Sequence, residues 1–251
     1  LNADHIIDQV WQYADMIVPM AVDGVVLIND YIKLGKKILC EGAQGVHLDI
    51  DFGTYPYVTS SNPTPGGICS GLGIAPGVIN RLIGVVKAYT TRVGEGPLPT
   101  ELTEEAGANL RELGAEYGAT TGRPRRCGWL DIPVLRRSIL LTGIKEIALT
   151  KLDVLDMFPE IKICTAYKYR GETIDILPFD IQSNEELQPI YETLHGWKQK
   201  TTEITSYEKL PTNAQAYVEY IEEMLKVKVI LISVGPQRRR AIIRDSQIWN
   251  K

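Results

Sequence analysis

Thr150-Lys151-Leu152-Asp153 follows a short apolar run, Ile147–Leu149, that reads as a strand. Guanine presents N1–H and its N2 amino group on one edge, and a single ionised carboxylate accepts both as a bidentate pair. Adenine offers no matching pair, so a carboxylate such as Asp153 discriminates by leaving the wrong base's polar groups unpaired. A lysine stem such as that of Lys151 packs along a purine face. Ser233-Val234-Gly235-Pro236 closes another strand candidate, and a hydroxyl beside exposed backbone N–H groups suits a purine carbonyl. The structural alternatives are a surface Lys–Asp pair with a helix cap at Asp153, and a plain strand-ending turn at Ser233 and Gly235.

A second set of residues suits anions. Thr120, Thr121, Arg123, Arg125 and Arg126 lie between and beyond the hinge glycines Gly118 and Gly122. An arginine fork matches a carboxylate or a phosphate, so this stretch reads as an anion clamp; the alternatives are an exposed basic loop and a nucleic-acid contact. In Glu41–Gly45 (EGAQG), flanking glycines permit close approach to the Gln44 amide, which carries both donor and acceptor atoms for a purine oxygen. Thr59-Ser60-Ser61-Asn62 offers hydroxyls to a phosphate. Gly71, Gly73 and Gly77 have the spacing GxGxxxG with no clear strand before them, which excludes a dinucleotide fingerprint; no GxxxxGK(S/T) occurs, so a triphosphate's phosphate loop is expected outside this chain. His5, His47 and His195 have no metal-ligand spacing, and Cys40, Cys69, Cys127 and Cys164 form no CxxC pair and read as reduced thiols. No metal ligand is expected among these residues.

Positioning such groups takes strands that end in loops. Apolar runs predict strands at Lys37–Cys40, Leu82–Tyr89, Ile147–Leu149 and Val227–Val234, and a small hairpin at Lys162–Tyr169 and Glu172–Ile176. Helices are predicted over 2–16, with Ile6, Ile7, Val10 and Met16 on one apolar side, over Leu102–Leu113, over 212–225 beside Pro211, and from an Asp131 cap through Leu141 to Gly143. From EGAQG to Gly77 the chain reads as a long loop. Residues 178–211 read as an excursion from the sheet. The repeated order of strand, glycine-rich loop and helix predicts an α/β fold with a mainly parallel central sheet and flanking helices, whose ligands sit at the carboxyl ends of the strands.

Composition narrows the partners. Across 251 residues, 27 basic and 31 acidic side chains leave a net charge of -4, which disfavours a polyanion binder; no nucleic acid partner is expected. The longest apolar stretches fall short of the roughly 20 residues of a membrane span, and Asp4 and Asp8 interrupt the place of a signal peptide's apolar region. No membrane partner and an intracellular setting are expected.

The segments EGAQG with LDIDFGTYPYVTSSN, KAYTTRVGEGPLPTEL, EYGATTGRPRRCGWLD, TKLDVLD, PIYETLHGW and SVGP, in that order, resemble the adenylosuccinate synthetase family, from about Ile38 to near residue 245. TKLD by itself resembles the N/T-K-x-D guanine-specificity motif of GTP-binding proteins. The resemblance implies a GTP-dependent ligase that joins inosine monophosphate (IMP) and L-aspartate into adenylosuccinate and releases GDP and phosphate, with Mg2+. It implies Gln44 at the purine 6-oxygen as the catalytic contact, Gln44, Thr59 and Arg123 for IMP, Val93, Thr121, Arg123 and Arg125 for aspartate, and Lys151, Asp153, Ser233 and Gly235 for GTP. It further implies a P-loop-NTPase-like fold. Over residues 1–251 the chain is expected to be a C-terminal portion of the family's domain, incomplete at the N-terminal side. The phosphate-loop region is expected to be absent, and with it most Mg2+ ligands. A homodimer is implied for the complete enzyme, in the cytoplasm. The competing readings are a guanine-nucleotide-binding module without ligase activity and an RNA-binding protein that uses Arg123, Arg125, Arg126 and Arg238–Arg240.

Overall fold

The computed structural model describes residues 2–118, 122–181 and 183–246. The chain divides into two compact units, one made of residues 1–43 and 65–80, the other of residues 44–64 and 81–251. No helix among the described residues is long and apolar enough to cross a membrane.

The first unit is helical: α1 (Ala3–Trp11), α2 (Ala14–Ile17), α3 (Gly24–Lys33) and α4 (Pro65–Leu72). Asn2 and Asp23 cap α1 and α3 by accepting backbone N–H groups with their side chains, which satisfies donors that have no partner within the helix. The helix expected over 2–16 is thus two helices with a turn at Gln12 and Tyr13, and the apolar residues Ile6, Ile7, Val10 and Met16 are exposed. Gly73 sits at φ +66 against Val25, where an added Cβ would come within 2.6 Å of a methyl carbon. The strand expected at Lys37–Cys40 does not form, and Leu39 there is exposed. A short apolar run pairs only where a neighbouring strand accepts its backbone groups.

The second unit holds the sheets. β1 (Ile83–Lys87), β5 (Glu146–Thr150), β9 (Lys228–Ser233) and β10 (Ala241–Ile243) lie side by side in that order. β1 with β5 and β5 with β9 are parallel, and β10 is antiparallel to β9. β2 (Thr90–Arg92) and β3 (Arg126–Gly128) form a small antiparallel ladder. A further sheet is built on the long strand β6 (Glu160–Tyr169), which pairs with β4 (Leu130–Asp131) in parallel and with β7 (Glu172–Ile174) and β8 (Gln188–His195) in antiparallel fashion. The central sheet is mainly parallel, as expected: β1, β5 and β9 run parallel and β10 joins their edge antiparallel. The expected hairpin also forms, because the Arg170-Gly171 turn lets β6 and β7 pair directly, with no crossover helix. The stretch at about 178–211 contributes β8 to this second sheet.

Helices α5 (Glu105–Leu113), α6 (Ile132–Thr142) and α7 (Thr212–Leu225) complete the unit. Asp131 caps α6 through the Val134 N–H, Pro133 occupies the first turn and Gly143 ends the helix at φ 69, as the sequence predicts. On α7, Ala214, Tyr217, Val218, Ile221 and Leu225 recur at helical spacing and are all buried with Leu149, Ile232 and Val234 in one core. The Tyr217 hydroxyl donates to the Ala88 carbonyl at 2.5 Å, which ties this helix to the residue that follows β1.

One buried carboxylate pins the turn after β5. Asp156 accepts from Trp197 Nε1 at 2.8 Å, from the Thr201 N–H at 2.7 Å and from Thr201 Oγ1 at 2.9 Å. Replacing it leaves those donors buried and unpaired. Asp156→Ala is expected to cost about 3 kcal/mol in urea unfolding; a loss below about 1 kcal/mol would remove this network from the account of the turn.

Candidate functional site

The parallel register sets Lys87 opposite Thr150, so the carboxyl ends of β1 and β5 deliver Lys87 and Lys151 to the same edge, and β9 delivers Ser233 there. Open α/β sheets bind their ligands along this edge. Lys151 leaves the strand at φ 61 and begins a 3-10 turn, Leu152–Leu155, whose apolar members are buried. The left-handed step turns the lysine back, and its ammonium donates to the Gly114 carbonyl at 2.6 Å and to Glu116 at 2.7 Å. Its ion partner is thus Glu116 and not Asp153. Asp153 is half-buried, and its Oδ1 is buried without a hydrogen-bond partner among the described residues. Burial raises its pKa above the ordinary carboxylate value. An unpaired acceptor of this kind is costly unless a ligand supplies its donors.

Glu116 is the centre of the site. It has no exposed side-chain surface. One oxygen accepts from Tyr89 OH at 2.6 Å, from Lys151 at 2.7 Å and from Lys87 at 3.0 Å; the other accepts from Arg125 Nη1 at 2.6 Å and from Lys87 at 2.9 Å. Burial alone would push its pKa up, but hydrogen bonds from Lys151, Tyr89, Lys87 and Arg125 reverse that and hold it at about 2. The Lys87 pKa is in turn lowered, mainly by burial. The Arg125 N–H donates to the Glu116 carbonyl at 2.8 Å, and the Gly118 N–H to the Arg123 carbonyl at 2.8 Å. Glu116 therefore stands at the foot of the loop that carries Arg123. Thr121, expected on the same loop, lies outside the described residues.

Neighbouring segments are braced by arginines. Arg92 donates to the Tyr57 carbonyl at 2.8 Å and so links the strand before Val93 to the segment of Thr59. Arg126 pairs with Glu101 and donates to the Gly96 carbonyl at 2.7 Å, so it holds the turn beyond Val93. The expected clamp of three arginines is thereby redistributed: Arg125 is paired to Glu116, Arg126 braces a loop, and Arg123 is exposed. Val93 is exposed between these braces.

Gln44 is exposed and itself holds the left-handed conformation, at φ 61, beside its flanking glycines. Thr59 is half-buried; its N–H donates to the Leu48 carbonyl at 2.7 Å and its hydroxyl lies 3.4 Å from that of Ser61. Their segment is built on fully buried Asp49, which accepts the N–H groups of Asp51 and Phe52 at 2.9 and 3.1 Å. It is also pinned to α6 by His47, whose Nε2 lies 3.0 Å from the Val134 carbonyl. Burial lowers the His47 pKa to about 4, so its ring is neutral near pH 7. Ser233 donates to the Gly235 carbonyl at 3.0 Å, and an added Cβ on Gly235 would lie 3.1 Å from the Arg240 side chain.

The structure thus joins Arg125 and Lys151 through Glu116. Among the described residues no hydrogen bond or ion pair connects Gln44, Thr59, Ser233 or Gly235 to that cluster. Sequence reasoning missed Glu116, Lys87, Tyr89, Asp49 and His47 as site residues. Each lies inside a segment singled out above (EYGATTG, KAYTTR, LDIDF), or beside one, but no local spacing marks a lone glutamate as the partner of cations 29 and 35 residues away.

A set of cations and an unpaired acceptor at the carboxyl ends of parallel strands defines an α/β protein built to hold a polar ligand. The chain belongs to the adenylosuccinate synthetase family, whose model matches residues 1–242. It is 52% identical over 241 residues to the adenylosuccinate synthetase of Caldicellulosiruptor bescii, covering 96% of this chain and 57% of that protein. It is 50% identical over 248 residues to that of Thermodesulfovibrio yellowstonii, covering 99% and 58%. Among solved structures, fully ligated adenylosuccinate synthetase from Plasmodium falciparum matches with a TM-score of 0.92 at 43% identity, over 98% of this chain and 59% of that one. The succinoaminodeoxyadenylate synthetase of cyanophage S-2L, at 18% identity, 90% and 51% coverage and a TM-score of 0.54, shares the fold alone. The chain therefore spans somewhat more than half the length of the curated relatives it matches.

These findings correct the resemblance as first drawn. The resemblance is expected to run from about Ile38, with nothing in residues 1–37 resembling the family's phosphate loop. The family match begins at residue 1, so those residues carry family sequence too. A fold incomplete at the N-terminal side because residues 1–37 lack family sequence is overturned with it, and the assignment of the phosphate loop and Mg2+ ligands to an absent part on that ground falls too; the chain covers 57% and 58% of the two relatives' lengths.

The Glu116 cluster sets an acid limit. A carboxyl held at about 2 in the folded protein against an ordinary 4.5 contributes stability that is fully present above pH 4.5 and is lost as pH falls through 2. Its size is on the order of 3 kcal/mol. The stability gap between wild type and Glu116→Gln is expected to narrow over that window in pH-dependent urea unfolding. A gap independent of pH would refute the account of Glu116 as an ionised hub.

Proposed function

We propose that this chain takes part in the GTP-dependent ligation of IMP and L-aspartate to adenylosuccinate, with release of GDP and phosphate. The observation that carries the reading is the buried, unpartnered Oδ1 of Asp153 at the carboxyl end of β5 in a member of this family. Guanine offers one donor to this oxygen and a second to the other oxygen of the same carboxylate. Lys151, tethered to Glu116, lays its stem beside the base, and Ser233 and Gly235 face the same ligand from the end of β9.

The other ligands follow from chemistry and family. Arg125 donates Nη1 to Glu116 and has further donors for a carboxylate of aspartate. Arg123, Thr121 and Val93 complete that pocket in this reading. Gln44 and Thr59 serve IMP, the amide at the purine 6-oxygen and the hydroxyl at the 5'-phosphate. Phosphorylation of the 6-oxygen makes a good leaving group, which the aspartate nitrogen then displaces; the Gln44 amide stabilises charge that develops on the purine. Family membership supports the use of Mg2+, a homodimer and a cytoplasmic setting. Among the described residues no group of three or more His, Cys, Asp or Glu side chains is placed to hold a cation, and the metal enters no step of this mechanism.

Asp153→Asn exchanges one acceptor oxygen for a donor. Binding of GDP is expected to weaken about tenfold or more, with a relative gain for xanthosine diphosphate, whose base carries a carbonyl where guanine has an amino group. Unchanged base preference in calorimetric titration would sink the guanine assignment. Arg125→Leu is expected to weaken L-aspartate binding at least about tenfold while GDP binding changes far less. Equal losses for both ligands would argue against Arg125 as the carboxylate contact.

A further inference from the structure

Gln44 and Thr59, the residues assigned to IMP above, lie on either side of a short 3-10 turn, Val46–Leu48, whose middle residue is His47. The backbone around this histidine is engaged on both sides. The Leu48 N–H donates to the Gly45 carbonyl at 2.9 Å, and the Leu48 carbonyl accepts the Thr59 N–H at 2.7 Å. The His47 carbonyl accepts the Thr54 N–H at 3.0 Å and the Thr54 hydroxyl at 3.3 Å. A Cβ added on Gly53 would come within 2.6 Å of that same carbonyl oxygen, so the loop is closed tightly over His47. Any displacement of His47 therefore passes to Gly45, next to Gln44, and through Leu48 to Thr59.

The imidazole is tied to α6. Its Nε2 lies 3.0 Å from the Val134 carbonyl and 3.2 Å from Ser138 Oγ. Ser138 donates its hydroxyl proton to the Val134 carbonyl at 3.0 Å, so toward the ring it can only accept. Both neighbours of Nε2 are thus acceptors, and the neutral ring carries its hydrogen on Nε2. The receiving end is rigid: the Val134 N–H donates to the capping Asp131 carboxylate at 3.2 Å, in the first turn of α6. Arg92 holds the far end of the same segment at the Tyr57 carbonyl. His47 and Arg92 fix the segment at two separate points.

Resting on the assignment of Gln44 and Thr59 to IMP, we infer that His47 is a positioning residue for the nucleoside monophosphate: its Nε2–H tethers the 44–62 segment to α6 at the distance that lets Gln44 and Thr59 meet the same ligand. His47 touches no ligand and transfers no proton. Its contribution is pre-organisation. Without the tether, binding energy goes into ordering the segment, and affinity falls. The effect is confined to one ligand, because among the described residues no hydrogen bond joins His47 to Glu116, Lys151 or Arg125.

The test is calorimetric titration of the protein with IMP, with GDP as the control ligand, for the wild type and three variants checked for folding by near-ultraviolet circular dichroism. His47→Gln keeps an N–H at the same reach, because the glutamine amide nitrogen and the histidine Nε2 are equally many bonds from Cα. His47→Asn carries the amide on a shorter stem, and His47→Leu has no donor. IMP binding is expected to weaken about fivefold or more in His47→Leu and His47→Asn, and to stay within about twofold of wild type in His47→Gln. GDP affinity is expected to stay unchanged in all three. An unaltered IMP affinity in His47→Leu overturns the inference, as does a His47→Gln protein that binds IMP as poorly as His47→Leu. A loss of GDP affinity equal to the loss for IMP also overturns it, since a general loosening of the fold would weaken both. Wild-type protein that binds GDP and not IMP overturns the assignment of Gln44 and Thr59 itself, and the role of His47 falls with it.

Discussion

A buried negative charge survives in a protein only when enough donors surround it, and Glu116 is surrounded from four directions. Lys87 comes from the end of β1, Tyr89 from the turn after it, Lys151 from the end of β5 and Arg125 from the far side of its own loop. Each of those segments would be free to move at its tip. Converging on one carboxylate, they lose that freedom together, and the strand edge becomes a defined surface. The left-handed backbone at Lys151 and the bracing of the adjoining loops by Arg92 and Arg126 make sense as means of delivering these groups.

The sheet explains why the charges meet at that edge. Parallel pairing of β1, β5 and β9 aligns their carboxyl ends, and each strand ends in a polar segment. Beneath them α7 seals the core with Tyr217 and its apolar neighbours, while Asp156 locks the turn that carries Asp153. That turn keeps one acceptor, Asp153 Oδ1, out of water and without a hydrogen-bond partner among the described residues. The second sheet, built on β6, supports the same region from β4, which leads directly into α6. Burial of His47 and Asp49 stiffens the segment of Thr59 by the same means, with neutral or fully bonded polar groups in place of exposed ones.

Several features were legible in the residues. The α6 start and stop were written in Asp131, Pro133 and Gly143, because capping is a local interaction between side chain and nearby backbone. The α7 face followed from its spacing, and β1, β5 and β9 from their apolar, β-branched content. The failures had different causes. Lys37–Cys40 has strand composition and no strand beside it, and pairing is a non-local condition. β8 was missed because QPIYETLH has no alternating pattern and buries none of its residues fully, so it resembles a polar connection until β6 is there to receive it. The start of the family resemblance was set too late because residues 1–37 carry helices without chemical motifs, which only comparison with whole sequences relates to the family.

The order of motifs along the chain, the residue types able to read guanine, grip a carboxylate or approach a purine, and the boundaries of the capped helices were determined by the sequence itself. These depend on neighbours within a few positions or on the chemistry of a single side chain. Tertiary structure decided which of those residues meet. Lys151 and Arg125 stand out in the sequence as cations beside a strand end and on a glycine-hinged loop, but nothing there marks them as partners of one carboxylate, Glu116. That choice rests on strand register and on a backbone turn that bring positions far apart in the chain within 3 Å, and burial then makes the resulting charge pairs strong enough to hold.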